Sequence, residues 1–408
     1  MNILLSAYHC APIGSESSVG WHFALELSKL GHQVVVVTSR SRQPFIEAQS
    51  EHTEAGIHIL YCDLPKPLAR WYKAASLSEH LYYFAWQISL FFFAKKVIND
   101  YQINLIHHIT LGVFRTPSFL GHYSVPFVFG PVGGGENYPF SLKKSLSFPT
   151  FCTELLRDSI NVLSAFNPLL LLTYHQSSVI LCRTKDTLRY IPKRFHPKCF
   201  VEMGIGFESR VYNRPKSRFQ GTFRLLYAGR PLYWKGVHLL VQAFSVLRAR
   251  GLDVNLTIVG RGDTTWVKNV ARRYQVDHAI DWRGSVSSDD LKKLYLTSDL
   301  FVFPSLREAG GTVAIESLSL GLPVLCLDRG GPVEIIDETC GIIVETPDGM
   351  SEKALAMAIA ERISSFVHNP DRLLALSENA VLKGNGFTWS KVVERTYQAI
   401  ESHISIVV

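Results

Sequence analysis

Short β-rich runs alternate with helical patterns along the chain. In the first half the runs cover residues 2–7, 33–38, 57–61, 104–108, 126–129 and 179–182, each bounded by turn formers and rich in branched or aromatic side chains. Between the first two, Val19, Phe23, Leu27 and Leu30 recur at helical spacing and Gly31 follows as a stop signal, which predicts one βαβ unit. The second half repeats the scheme with runs at 223–227, 255–259, 279–282, 300–303, 323–327 and 341–344. Strands separated by helical patterns predict parallel sheets, so two doubly wound α/β domains are expected. The segment from Gly204 to Gly221 is basic and turn-rich and carries no periodic apolar pattern, which places the hinge there. The expected division is 1–205, 206–384 and a terminal helix within 385–408, after the breaker Gly384-Asn385-Gly386.

Length and composition agree with this picture. A chain of 408 residues exceeds what one hydrophobic core sustains, and 47% hydrophobic with 19% charged residues excludes a disordered chain. Seven cysteines, none in a C-x-x-C pair, suit neither a disulfide framework nor a zinc site and fit a reducing cytoplasm. Met1 runs directly into apolar sequence without a basic leader, which reads as a first strand. The apolar stretch 81–94 is too short to cross a bilayer. The net charge is +7, and Lys66, Arg70, Lys73, Lys95, Lys96, Lys143 and Lys144 crowd the first half beside many aromatics. An anionic surface is therefore an expected partner, and the segment 67–96, with Trp71, Tyr72, Leu81, Tyr82, Phe84, Trp86, Phe91, Phe92 and Phe93, is the expected membrane-docking element. An ordinary core helix with a basic surface is the plain alternative.

In open parallel sheets ligands bind beyond the carboxyl ends of the strands. After the run 300–303 comes Pro304-Ser305-Leu306-Arg307-Glu308-Ala309-Gly310-Gly311-Thr312-Val313-Ala314-Ile315-Glu316. Gly310, Gly311 and Thr312 leave main-chain N–H groups bare where a helix starts, a natural phosphate seat. Glu308 on the loop and Glu316 in the early helix can accept hydroxyl hydrogens of one bound molecule. A solvated Glu308 and a helix-capping Glu316 are the plain alternative. After the run 223–227, Gly229-Arg230-Pro231-Leu232-Tyr233-Trp234-Lys235-Gly236 sets two cations beside another helix start, where they oppose the helix dipole, a cost that a diphosphate shared between Arg230, Lys235 and the helix would offset. Two exposed basic residues would be the plain reading.

The order G-R-x(4)-K-G, I-V-G-x-G, P-S-x(2)-E-x(7)-E, G-x-P-V and G-G-P-x-E, at Gly229 to Gly236, Ile258 to Gly262, Pro304 to Glu316, Gly321 to Val324 and Gly330 to Glu334, resembles the retaining family 4 glycosyltransferases. The first half resembles one branch of that family through Gly14-Ser15-Glu16, Val19-Gly20-Trp21, His107-His108 with Thr110, and Gly130 to Glu136. The resemblance implies a GT-B fold, in which two Rossmann-like domains face a central cleft, the first on the acceptor side, the second binding the nucleotide sugar, with the last helix crossing back to the first domain. It implies that Arg230 and Lys235 bind the donor diphosphate, that Glu316 binds the ribose, and that Glu308 holds hydroxyls of the transferred sugar beside Gly310, Gly311, Thr312 and Val313. Gly14 and Ser15 match a loop that closes over the phosphate, Gly284, Ser285 and Val286 match the segment lining the base, and His108 is taken as the family's histidine in preference to His107. Gly134, Gly135 and Glu136 are candidates for contact with the acceptor. Gly310 departs from the aromatic residue that many relatives carry there, which alters the sugar pocket.

The resemblance implies a hexosyltransferase acting on a glycan or lipid-linked acceptor in surface polysaccharide biosynthesis, at the inner face of the membrane. No D-x-D triplet occurs, so neither a metal nor another cofactor is expected, and nucleic acid is not an expected partner. A nucleotide-sugar epimerase or hydrolase, or a non-catalytic sugar-nucleotide binding subunit, would use the same seat.

Overall fold

The computed structural model describes residues 1–48, 56–74, 79–208 and 221–407. Most of the expected hinge, 209–220, and residues 75–78 of the expected docking segment lie outside them. The chain divides into two compact units, residues 1–135, 159–206 and 389–408 in the first, and 136–158 and 207–388 in the second.

In the first unit seven strands form one parallel sheet: β1 (Asn2–Ala7), β2 (Gln33–Thr38), β3 (Ile57–Tyr61), β4 (Leu105–Thr110), β5 (Phe127–Val132), β6 (Val179–Cys182) and β7 (Cys199–Val201), in the order β3-β2-β1-β4-β5-β6-β7. Helices on both faces bury β2 so fully that Val34, Val35, Val36 and Val37 are each at most 1% exposed, which is why this strand reads as a continuous apolar run. The predicted helix appears as Ser17–Lys29, burying Val19, Phe23 and Leu27, and it packs beside the terminal helix Trp389–Val407. The expected run 104–108 is shifted: β4 extends to Thr110, so His107 and His108 lie inside the strand. The edge strand β7 was not expected, because three half-buried residues after Pro197 leave no pattern to read.

The second unit holds a six-stranded parallel sheet: β8 (Phe223–Ala228), β9 (Val254–Val259), β10 (Ile280–Arg283), β11 (Leu300–Phe303), β12 (Val324–Leu327) and β13 (Gly341–Val344), in the order β10-β9-β8-β11-β12-β13. Its core gathers Leu225, Tyr227, Leu240, Phe244, Val302, Leu325 and Ile359. Residues 136–158 pack here. Tyr138 and Leu142 join this core, Ser145 Oγ donates to Glu352 Oε1 at 2.6 Å, and the fully buried Lys143 is ion-paired with Asp158. In both sheets the order reverses beside the first strand, between β1 and β4 and between β8 and β11. Such a reversal leaves a crevice at the carboxyl ends.

Candidate active site

The crevice of the second unit brings together the loops that the sequence singled out. The loop after β8 carries Arg230 and Lys235 and ends in the helix Val237–Ala249. The loop after β11 carries Glu308 and ends in the helix Thr312–Ser319. Close backbone approach locks them together. Gly236 has φ +68°, and a Cβ there would sit 1.9 Å from the Pro304 carbonyl oxygen. Gly330, at φ +67°, would place a Cβ 2.4 Å from the Glu308 carbonyl oxygen, and the neighbouring Gly331 N–H donates to that same oxygen at 2.6 Å. The left-handed backbone and the absent side chain are both needed at these two positions.

Lys235 and Glu308 meet as an ion pair, their side chains 19% and 14% exposed. Lys235 Nζ also lies 5.7 Å from the centre of the Phe303 ring. The sequence expects these two residues to serve different parts of a ligand, Lys235 its diphosphate and Glu308 its sugar; here they face one another. The Gly310 N–H, one of the expected phosphate donors, reaches Glu308 Oε1 at 3.3 Å. Arg230 is exposed, and its carbonyl accepts from Tyr227 Oη at 3.2 Å. Burial, and then the charge of Glu308, push the Tyr227 hydroxyl far above its ordinary range, keeping it a neutral donor.

Glu316 projects from the second turn of Thr312–Ser319 and accepts a hydrogen bond from the buried Tyr295 at 3.3 Å. Burial raises its carboxyl, with Tyr295 opposing. The Val313 carbonyl lies 3.4 Å from the same hydroxyl. Gly284 and Ser285 are exposed and Val286 half-buried just after β10, where the Gly284 carbonyl accepts from Gly260 N at 3.2 Å. All of these positions sit at carboxyl ends of strands in one unit.

The first-unit candidates are placed differently. Gly14 and Ser15 are exposed, ahead of the helix Ser17–Lys29. His108 is 1% exposed, with Nε2 3.1 Å from Tyr83 Oη. His107 is fully buried between Tyr397 Oη at 2.9 Å and the Gly130 carbonyl at 2.7 Å. Burial lowers both imidazoles to about 4, so both are neutral near pH 7. Gly134 accepts from Arg115 Nη1 at 2.8 Å. Gly135 is required by packing, because a Cβ would meet Thr187 Cα at 2.5 Å. Glu136 is 2% exposed and belongs to the second unit.

Sequence reasoning passed over three residues beside the crevice. Glu154, on the helix Phe148–Ser164, accepts from Arg307 Nη1 at 2.6 Å on both carboxylate oxygens and from Tyr233 Oη. None of the three stands in a position that the recognised motifs fix.

Residues 210–382 match the family model described as glycosyl transferases group 1. An uncharacterized glycosyltransferase of Methanocaldococcus jannaschii is 31% identical over 172 residues, 41% of this chain and 44% of that protein. The chain spans less than half the length of the curated relatives it matches first. Among solved structures, a glycosyltransferase from Rickettsia africae superposes with a TM-score of 0.65 at 16% identity, over 99% of this chain and 98% of that one. HepE of Anabaena, in complex with UDP, gives 0.62 at 15% identity, over 98% and 100%. With its two Rossmann-like sheets this chain has the GT-B fold, and its second unit is the part that resembles the glycosyl transferases of group 1.

Proposed function

We propose that the protein transfers a sugar from a nucleotide diphosphate sugar to an acceptor, retaining the anomeric configuration and using no metal. The carrying observation is the Lys235–Glu308 pair at the switch point between β8 and β11, beside the helix start at Gly311 and Thr312. A diphosphate arriving there takes the Lys235 ammonium as partner in place of Glu308 and adds the exposed Arg230 and the helix N–H groups. Glu308, released, accepts hydroxyl hydrogens of the sugar, and Glu316 those of the ribose. The Anabaena relative in complex with UDP supports a nucleotide ligand.

In the reaction the bond from the anomeric carbon to the phosphate oxygen breaks, and a bond to the acceptor oxygen forms on the same face. The departing phosphate oxygen takes the acceptor's proton, so the protein supplies orientation and charge. In this reading the side-chain cations Arg230 and Lys235 supply that charge, and the sequence lacks a D-x-D triplet. A glycan or lipid-linked acceptor in surface polysaccharide synthesis is the reading for the first unit. A membrane-facing role rests on Leu81, Ile88 and Phe92, which share one helical face and are 50%, 43% and 73% exposed, ahead of the exposed Lys95 and Lys96. Trp86, expected on that face, is instead buried and donates to the Cys62 carbonyl at 2.7 Å. Among the described residues no single helix is long and apolar enough to cross a membrane, although the bent pair Phe148–Ser164 and Pro168–Gln176 meets that test jointly.

The deciding experiment incubates the protein with a panel of nucleotide sugars and candidate acceptors, comparing wild type with Lys235→Ala. Acceptor-dependent release of nucleoside diphosphate by the wild type, reduced by two to three orders of magnitude in the variant, is expected. Normal turnover by Lys235→Ala at saturating donor overturns the reading. Release of free or altered sugar without acceptor favours a hydrolase or epimerase.

A further inference from the structure

The Lys235–Glu308 pair is flanked by a second contact between the same two loops. Tyr233 stands two residues before Lys235, and Arg307 immediately precedes Glu308. Both end on one carboxylate, that of Glu154, whose side chain is 1% exposed. Trp234 completes the join: its carbonyl accepts from Leu306 N at 2.8 Å and Arg307 N at 3.2 Å, and its ring lies under the Arg307 guanidinium at 4.7 Å. Each carrier of the proposed chemistry therefore has a neighbour tied to Glu154, which comes from neither loop.

A buried carboxylate is a costly choice for a merely structural joint, since an apolar residue of similar size does that work at least as well. What the ionic joint adds is geometry. A guanidinium and a hydroxyl converging on two oxygens fix direction as well as distance. Burial and the Glu154 contact lift the Tyr233 hydroxyl to about 12, so it remains a donor across the physiological range.

Resting on the reading of Lys235 and Glu308 given above, we propose that Glu154 is a positioning residue of the transfer reaction: it holds the β8 and β11 loops in register, so that the sugar sits in line with its leaving diphosphate. It touches neither reacting group and acts through Tyr233 and Arg307.

The test uses the full chain, with the nucleotide sugar that the wild type turns over fastest and the matching nucleoside diphosphate. Glu154→Gln keeps the shape and the acceptor oxygen but removes the charge. The expected result is a 10- to 100-fold fall in kcat, with donor KM and nucleoside diphosphate Kd within about threefold of wild type. Tyr233→Phe should lower kcat by roughly 3- to 10-fold, and the double variant should lose less than the product of the two, because both act on one joint. Should Glu154→Gln fail to fold, Tyr233→Phe carries the same test alone. Wild-type kcat in both variants, or a loss of nucleoside diphosphate affinity matching the loss of kcat, overturns the proposal, the latter because it reports a collapsed site. If Lys235→Ala is inactive while Glu154→Gln is normal, only this inference falls; if Lys235→Ala is fully active, the underlying reading falls first.

Discussion

The two sheets reverse strand order at corresponding places, yet their switch points hold opposite chemistry. Beside β1, β4 holds two neutral histidines turned into the strand's own packing against Tyr83, Tyr397 and the Gly130 carbonyl. Beside β8, β11 ends in a charged pair and a helix start. The topology provides a crevice in both cases; what leaves the strand end decides whether it carries polar groups. In β4 the histidines are spent before the strand stops, His108 two residues ahead of its last residue, Thr110. In β11 the strand stops first, and the loop delivers Glu308 five residues beyond Phe303.

This contrast is sharpest in a paired substitution. Glu308→Ala is expected to lower turnover by two to three orders of magnitude at saturating donor, whereas His108→Ala should leave turnover within about tenfold and lower stability by roughly 2–4 kcal/mol through the cavity left at a buried site. Turnover assays beside urea unfolding measure both. A large kcat loss in a fully stable His108→Ala variant would erase the distinction and restore His108 as a catalytic residue.

Gly236→Ala probes whether the charged crevice depends on backbone contact. The added Cβ would collide with the Pro304 carbonyl in a left-handed conformation, and a loss of roughly 2–4 kcal/mol is expected. An unchanged melting temperature would mean that the two loops are not locked there.

The histidines also predict a pH effect confined to the first unit. Each is lowered by burial from 6.5 to about 4, so as the pH falls the unfolded chain takes up protons before the folded one does. Their stabilising effect is complete above about 6.5 and is lost toward pH 4, by up to about 1.4 kcal/mol per pH unit for each histidine. Urea unfolding at pH 7, 6 and 5 should show this slope, and His108→Phe should flatten it; an unchanged slope in that variant would show that His108 is not its source.

The smallest expected effect is that of chelation. If side-chain cations alone meet the diphosphate charge, EDTA leaves turnover unchanged. Loss of activity that magnesium or manganese restores would remove the premise that the second crevice is electrostatically self-sufficient.

Much of the second crevice was legible because its parts are local. Arg230, Lys235, Glu308 and Glu316 stand at fixed distances from glycines and from strands whose apolar runs are unmistakable. Glu154 was not legible, since its partners lie 79 and 153 residues away and a glutamate on a half-exposed helix has no local signature. The strand that carries the histidine pair runs two residues beyond its expected end. A strand boundary is set by hydrogen bonds to neighbours, here to β1 and β5, which no local pattern encodes. Strand β7 escaped notice because an edge strand this short is defined by its single partner, β6.

The glycine contacts around Glu308 bear on how this protein could be altered. Gly260 faces the Gly229 carbonyl, Gly236 that of Pro304, and Gly330 that of Glu308, with a Cβ at 2.0, 1.9 and 2.4 Å respectively. Each loop is thus the mould in which the next is cast. A chimaera that imports only the β11 loop from a relative would inherit a partner whose backbone follows a different path, whereas one that exchanges the loops after β8, β9, β11 and β12 together carries its moulds with it. Attempts to give the crevice a new sugar preference should therefore treat those four loops as one transplantable block.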